Sequence, residues 1–469
     1  MCKTSAMARP FITRSHVRLM AAVSFALFAG GCVASPSASL EATSFPGASA
    51  PSTPGPRTSP SGDTFDPTAS AAASGPSGEV GWSRVASPFG DPPDATRIDG
   101  VVEWQGRLVG FGRVKAPGRN QINDLAEVYL SDTGETWRTV PIEVGVGPED
   151  TSEVSLLAAG PRGIVMFGGT CCAVEEQAIW YSPDGGAWER VPLERSVFKG
   201  SQLAAARATD DGFVAVGSQS GRAAIWTSSD GRAWTAVGSA EAGLGKGTIG
   251  DVAPANGRWL AAGFQDDGDT YDGALWESAD GVRWQRLPTD RLFQGELDTA
   301  FGRLYPTPSG VLLIGNEGPH DERLRCQRLL GQTASLASVG PRDTALSCGW
   351  GMETHWWSSD GRAWERLPSL FPPPGGPPLT GPGPIEFRLI TTGGPGLLNL
   401  GEDRLGGVRL WASADGRDWQ DEGAMGLRLN QDLPSGIAVL NGRVIAVGDA
   451  WDGSASKPGE PAVWIGPGL

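Results

Sequence analysis

Ser228-Ser229-Asp230-Gly231-Arg232-Ala233-Trp234 is the stretch on which the fold turns, because the chain repeats it. Related runs are Ser131-Asp132-Thr133-Gly134-Glu135-Thr136-Trp137, Ser182-Pro183-Asp184-Gly185-Gly186-Ala187-Trp188 and Ser278-Ala279-Asp280-Gly281-Val282-Arg283-Trp284. Two more are Ser358-Ser359-Asp360-Gly361-Arg362-Ala363-Trp364 and Ser413-Ala414-Asp415-Gly416-Arg417-Asp418-Trp419. Successive copies lie roughly 45 to 55 residues apart, with one longer gap before Trp364. Self-similarity at this period marks a solenoid or a propeller, whose units bury their apolar faces only against neighbours. The motif has a mechanism. Asp oxygens accept from backbone N–H groups of a tight turn, Gly supplies positive φ, and Trp packs against the adjoining unit. Asp132, Asp184, Asp230, Asp280, Asp360 and Asp415 are therefore expected to be structural.

Each unit reads as four strands. In the fourth, Ile249–Ala255 is a first strand rich in small residues, Asn256-Gly257 a hairpin turn, and Arg258–Gly263 a second strand. Gly273–Ser278 and Arg283–Leu287 follow as third and fourth. Small residues suit a strand crowded near a central axis, and a four-stranded sheet repeated radially is a propeller blade. The second strand ends in Gly112, Gly168, Gly217, Gly263, Gly315, Gly401 and Gly448, which counts seven blades. The last unit stops after Ala462-Val463-Trp464-Ile465, while Trp82-Ser83-Arg84-Val85 looks like Trp188-Glu189-Arg190-Val191. The expected fold is thus all-β: a seven-bladed propeller of antiparallel blades over residues 79–469, its last blade closed by the N-terminal strand so that no edge is left open. Thirteen of the 18 Trp fall on repeat positions and read as core. Trp104 and Trp259 flank hairpin turns and read as packing, and Trp357 faces the other side of its blade. Trp350 and Trp451 fall in loops.

The repeat resembles the Asp-box, or BNR, repeat of the sialidase superfamily. The resemblance spans about 390 residues and implies a propeller. Most copies here have one residue fewer between Asp and Trp than the usual motif. It implies little about activity, because the motif is a structural turn in many non-enzymes. Members that hydrolyse sialosides use an arginine triad, a Tyr–Glu pair and an Asp acid, typically carry an Arg-Ile-Pro motif ahead of the repeats, and usually have six blades. No such motif precedes the first copy here. Tyr129 and Tyr181 sit beside the Asp turns. Tyr305, on an inner strand, is the one plausible nucleophile, and no Glu can be paired with it. No catalytic residue carries over.

The N-terminus reads as an address. Lys3, Arg9, Arg14 and Arg18 precede the apolar run Leu19–Ala29, too short to span a bilayer. Ala29-Gly30-Gly31 before Cys32 resembles a bacterial lipobox, which implies removal of residues 1–31 and lipidation of Cys32; ordinary signal cleavage is the alternative. Residues 32–78, rich in Ser, Pro and Ala, are expected to be a disordered tether with a reach of roughly 40 Å. The expected location is the extracytoplasmic side of a bacterial envelope, held to the membrane by the lipid alone.

Composition narrows the chemistry. With 53 acidic against 38 basic residues and a net charge of −15, nucleic acid is not the expected partner. Beyond His16, only His320 and His355 are available, so multi-His metal sites and His-centred hydrolases have little to build on. No metal and no cofactor is expected. The loop Asp266–Gly273 matches a calcium loop poorly and reads as a solvated hairpin tip. Cys326 and Cys348 bracket an insertion and suit a disulfide. Cys171 and Cys172 could form a vicinal bridge or pair elsewhere.

In such blades the turns after strands one and three share one face. The loops after strands two and four share the opposite face and are long: 114–126, 170–177, 264–273, 316–354, 369–386 and 449–461. Long loops on a rigid scaffold are the usual place for binding. Trp350 and Trp451 are the candidate apolar anchors, with Arg113, Arg119 and Asp452 as polar partners. The favoured function is that of a membrane-tethered, monomeric binding propeller that takes a protein or glycan ligand without turnover. A glycan-active hydrolase and an assembly factor for a membrane complex are the alternatives.

Overall fold

The structure, a computed structural model, describes residues 81–90, 95–115, 124–142, 151–171, 176–192, 197–240, 242–268, 270–288, 297–324, 351–368, 389–402, 407–428, 432–450 and 460–469. These form seven four-stranded antiparallel sheets, the seven blades of a β-propeller. A two-residue strand, β1 (Ser83–Arg84), comes first in the chain. Blade 1 holds β2 (Ala95–Trp104), β3 (Arg107–Lys115), β4 (Asp124–Ser131) and β5 (Arg138–Val140). Blade 2 holds β6 (Thr151–Gly160), β7 (Gly163–Cys171), β8 (Glu176–Ser182) and β9 (Glu189–Arg190). Blade 3 holds β10 (Ser201–Ala208), β11 (Phe213–Gln219), β12 (Arg222–Ser228) and β13 (Thr235–Ala236). Blade 4 holds β14 (Gly247–Ala255), β15 (Arg258–Asp266), β16 (Tyr271–Ser278) and β17 (Trp284–Arg286). Blade 5 holds β18 (Leu297–Thr307), β19 (Gly310–Pro319), β20 (Met352–Ser358) and β21 (Glu365–Arg366). Blade 6 holds β22 (Leu389–Gly393), β23 (Gly396–Glu402), β24 (Gly407–Ser413) and β25 (Gln420–Arg428). Blade 7 holds β26 (Asp432–Leu440), β27 (Arg443–Ala450) and β28 (Glu460–Gly468), and β1 supplies its fourth strand.

That closure follows the sequence expectation in register. Ser83 pairs with Ile465 and Arg84 with Trp464, and Val85 N–H donates to Val463 O at 2.9 Å. Trp82 lies against Gly466 and joins the apolar layer shared by blades 6 and 7.

The repeated motif builds one turn many times over. In blade 3, Ser228 Oγ accepts from Gly231 N–H at 2.9 Å, and Asp230 Oδ1 accepts from Arg232 N–H and Ala233 N–H, both at 2.8 Å. Gly231 takes φ 74°, and Trp234 Nε1 donates back to Gly231 O at 3.2 Å. The backbone bonds hold the carboxyls of Asp184, Asp280 and Asp360 below the usual range, with bonds to Ala187, Arg283 and Ala363 leading. Blade 1 differs. Thr133 Oγ1 takes the acceptor role toward Glu135 N–H at 3.1 Å, while Asp132 is exposed and lies 3.4 Å from Arg107. There, Ser131 and Thr133 rather than Asp132 shape the turn.

The turn aims its Trp at the preceding blade. Trp234, with Trp226 of the third strand, packs against Val165, Phe167 and Ile179 of blade 2. Trp276 and Trp284 do the same against Val214 and Val216 of blade 3, and Trp356 and Trp364 against Leu260 and Leu275 of blade 4. Trp104 donates to Gly160 O at 2.9 Å, and Trp357 donates to Asp415 O at 2.9 Å on the blade 6 side. Both are packing residues, as the sequence suggests.

A second feature recurs near the axis. Inner strands β2, β6, β10, β14, β18 and β26 each carry a β-bulge, at Asp99, Ser155, Ala204, Gly250, Gly302 and Ser435. The residue before each bulge pairs with the second-strand glycine: Ile98 with Gly112, Val154 with Gly168, Leu203 with Gly217, Ile249 with Gly263, Phe301 with Gly315 and Pro434 with Gly448. The bulge drives a carbonyl toward the second strand, so a Cβ on Gly263 would overlap Thr248 O. The glycine that counts the blades is therefore a steric requirement of the bulge.

Several loops are shorter than the sequence reading, because pairing continues to Lys115–Asp124, Thr170–Glu176, Glu317–Met352 and Ala450–Glu460. The β15–β16 hairpin runs on to the Asp266–Tyr271 pair, so the loop there is shorter than 264–273. Phe264 and Tyr271 rings meet at 4.3 Å and zip those extra residues together.

Deleting residues 79–86 should cost about 3 kcal/mol or more, because a strand and a large aromatic contact are lost together. Thermal denaturation should show a clear drop in melting temperature; an unchanged one would show that the N-terminal strand is dispensable for closing the ring.

Candidate functional site

The two ends of the blades have different chemistry. At one end, Asn256 Nδ2 in the β14–β15 turn donates to Ser359 O of the next blade's Ser-x-Asp-Gly turn at 2.7 Å. A cleft of about 480 Å³ opens there between blades 4 and 5. Its charges are already matched: Glu277 is bonded by Arg362 Nη2 at 2.7 Å and Arg258 Nη1 at 2.6 Å. These bonds, Arg362 first, lower its carboxyl to about 2. This end is engaged in holding blades together.

The opposite end carries the loops after strands two and four. Of the sequence-based candidates, Trp350, Trp451, Arg119 and Asp452 lie outside the described residues, as do Cys32, Cys172, Cys326 and Cys348. Cys171 ends β7, its side chain undescribed. Arg113 is described, and the structure gives it partners that the sequence did not suggest.

Arg113 lies near the end of β3 in blade 1. Its Nε lies 3.4 Å from Asp99 Oδ2. Arg97 Nε, on the same strand as Asp99, lies 2.5 Å from Asp99 Oδ1. Asp99 is only 4% exposed and is held between two guanidinium groups. Its position explains why. Asp99 occupies the bulge slot, which in the five other bulged strands holds Ser, Ala or Gly. Where that slot holds Ser435, the hydroxyl donates to Ile98 O at 2.6 Å, a structural bond. A bulge re-aims the side chain it carries, and here it aims a carboxylate between two arginines.

Asp449 completes the group from β27 of blade 7. Its Oδ2 is 3.8 Å from Arg97 Nε, beyond hydrogen-bond reach, and its Oδ1 is buried with no partner among the described residues. Burial raises its carboxyl, Arg97 pulls it down, Asp99 pushes it up again, and the balance falls at about 7. Asp99 and Asp449 thus share two arginines unequally. Arg97, Arg113 and Asp449 side chains remain 27%, 20% and 20% exposed, so this cluster opens to solvent.

A second cluster lies on the same face across the ring, at blades 4 and 5. Buried Asp298 accepts from Tyr271 N–H at 3.0 Å and from Arg323 Nε, and His320 Nδ1 lies 3.2 Å from its Oδ2. The Arg323 guanidinium stacks on the Tyr271 ring at 3.9 Å. Burial raises the Tyr271 hydroxyl. This cluster fastens the start of the long insertion after Pro319 to two blades. The sequence reading found in His320 and His355 too little for a metal site or a His-centred hydrolase; the Asp partner of His320 is 22 residues away and becomes visible only through strand pairing. His355 is buried beside Glu353 at 3.0 Å. Tyr305 packs among Leu312, Ile314 and Trp411 between blades 5 and 6. Asp266 and Asp267 accept from Gly268 and Thr270 N–H groups within their own turn. Among the described residues, no three His, Cys, Asp or Glu side chains are grouped to hold a metal ion.

No protein-family profile matches the chain, and no curated protein matches it in sequence. Solved structures do resemble it in fold. An acylaminoacyl peptidase from Pyrococcus horikoshii is 8% identical with a TM-score of 0.44, over 80% of this chain and 52% of that one. An α-L-arabinofuranosidase from Fusarium graminearum, in complex with an iminosugar inhibitor, is 11% identical with a TM-score of 0.39, over 81% and 95%. A Trypanosoma rangeli sialidase in complex with the inhibitor DANA is 10% identical with a TM-score of 0.38, over 80% and 55%. The chain spans about half the length of the peptidase and of the sialidase.

Asp449 has a consequence for stability. Unfolded, it releases its proton near 3.8; folded, near 7. Between those values the folded state holds the extra proton, so this group's contribution falls as pH rises from about 4 to about 7. Asp449→Asn should therefore stabilise the fold above that window, by up to about 4 kcal/mol, and change little below it. Urea denaturation at both ends of the window checks this; equal effects at both ends would contradict it.

Proposed function

We propose that this protein is a binding propeller that recognises its ligand on the loop-bearing face, around Asp99, Arg97, Arg113 and Asp449, without chemical turnover. The observation that carries the reading is the placement of Asp99. Among the described residues, one of six bulged inner strands puts an ionisable side chain in the bulge, and that side chain lies beside two partly exposed arginines. The ring closes without such a group in the other five bulged blades, so the fold does not demand it. The same rim leads directly into Trp451 and Asp452, and Arg119 belongs to the loop that follows Arg113. We further propose that the propeller is secreted and held to the envelope membrane through Cys32, with residues 32–78 as its tether.

A hydrolase reading draws on one specific feature: two neighbouring carboxyls, of which Asp449 is raised by burial, an arrangement that acid–base catalysis uses. The geometry favours binding. Asp99 is almost fully buried with each oxygen beside a guanidinium, so it cannot reach a scissile bond or activate a water as base.

Sialosides and other glycosides offered to the pure protein should remain uncleaved; turnover abolished by Asp449→Asn would replace the binding reading with the hydrolase one. In pull-downs from envelope extract, Arg113→Gln and Trp451→Ala should each lose the wild-type partner by about tenfold, the effect of one good polar or aromatic contact. Unchanged capture in both folded variants would remove this rim from the site.

Mass spectrometry of the mature protein should find a lipidated Cys32 at the N-terminus, and Cys32→Ser should release the chain from the membrane. An unmodified terminus at another residue would refute the anchor.

A further inference from the structure

The arginines and carboxyls of the rim do not balance one another evenly. Asp99 lies beside both guanidinium groups and is only 4% exposed. Asp449 touches neither closely: Oδ2 stands 3.8 Å from Arg97 Nε, and Oδ1 is buried and unbonded among the described residues. An orphaned polar atom beside a partly exposed cation is a costly arrangement for a fold to keep without use. We propose that the Arg97–Asp449 edge of this cluster binds a carboxylate-bearing ligand and takes up one proton as it does so. The inference rests on the loop-face recognition proposed above and names the chemistry of its ligand.

The charge count leads there. With Asp449 ionised, two carboxylates face two guanidiniums and the cluster is neutral. With Asp449 protonated, the cluster carries one surplus positive charge, and the Asp449 hydroxyl becomes a donor. A ligand carboxylate then meets Arg97 on one side and the Asp449 O–H on the other, a charge-assisted pair of contacts. Deprotonation would set two carboxylates against each other and expel the ligand. The proton comes from solvent, forms the Asp449 O–H bond and stays there while ligand is bound; no other covalent bond changes. A cationic ligand would have to approach Asp99 through two guanidiniums.

The charged groups that face Asp449 come from blade 1. From β2 it faces Arg97 and Asp99, and from β3 Arg113. Within its own sheet it pairs with Leu433 on β26 and Pro461 on β28. Glu460 pairs with Ala450 one position on, and so belongs to the opposite face of that sheet. Asp449 titrates at about 7, so the switch falls near neutrality.

The experiment is calorimetric titration of the full chain with glucuronate, acetate and glucose, in paired buffers of different ionisation enthalpy. Glucuronate and acetate should bind, and glucose should not. Above about pH 7, carboxylate affinity should fall about tenfold per pH unit, with close to one proton taken up per ligand; below about pH 6, both effects should vanish. Asp449→Asn should retain the low-pH affinity throughout and take up no proton, which a merely structural Asp449 would not predict. Arg97→Gln should weaken binding at least tenfold, with Arg97→Lys restoring part of it. Glucuronate no tighter than glucose, or affinity flat across pH in the wild type, would overturn the proposal. If carboxylates fail while the Arg113→Gln pull-down still loses its partner, the loop-face reading stands and only the ligand class falls.

Discussion

Everything in this ring depends on one contact made at each blade boundary: aromatic side chains laid against the preceding blade. A four-stranded sheet alone cannot bury both of its faces, and each blade gains a core only when its neighbour arrives. Trp226 and Trp234 fill that boundary between blades 2 and 3, and Trp276 and Trp284 the next one. At the boundary of blades 6 and 7 the same role needs a residue from the other end of the chain, and Trp82 provides it beside Trp464. A ring of this kind is only as stable as its last boundary, which is why a strand of two residues matters to a domain of this size.

The Ser-x-Asp-Gly turn serves that contact rather than the solvent. Its Asp side chain satisfies backbone N–H groups that no strand partner can reach, and its Gly lets the chain reverse so that the Trp enters the boundary at a fixed angle. Blade 1 shows that the hydrogen bonds matter more than the residue type, since Thr133 does the work of Asp there. The carboxylates of the other described copies are engaged in this way.

The axis is governed by a different constraint. Bulged inner strands press a carbonyl toward the second strand, and only glycine tolerates the approach. Because the bulge residue is forced out of the ordinary alternation, its side chain points where no regular strand position would send it. Five bulged blades fill that slot with Ser, Ala or Gly. In blade 1 it carries Asp99, and the consequence is an ionic group whose members come from β2, β3 and β27, spanning the seam between the first and last blades. The ring closure and the candidate site are thus neighbours, which ties the site's geometry to a closed ring.

The repeat by itself determined the fold class, the number of blades, the strand order within each and the identity of the closing strand. These are legible because they rest on local chemistry repeated at a fixed spacing: turn residues, glycine, and Trp at set intervals. It also told the loop-bearing face from the structural one, since antiparallel strands alternate direction. The site was legible only in Arg113. Asp99 stands in the sequence as one acid before a glycine, and Asp449 as another after one; nothing local distinguishes them from the other Asp residues of the chain. Their meaning arises when residues about 350 positions apart are brought to one rim. There burial raises the Asp449 carboxyl to about 7 against the pull of Arg97. Pairing of that kind belongs to the tertiary structure because charge interactions depend on distance and desolvation, and neither is fixed until the ring has closed.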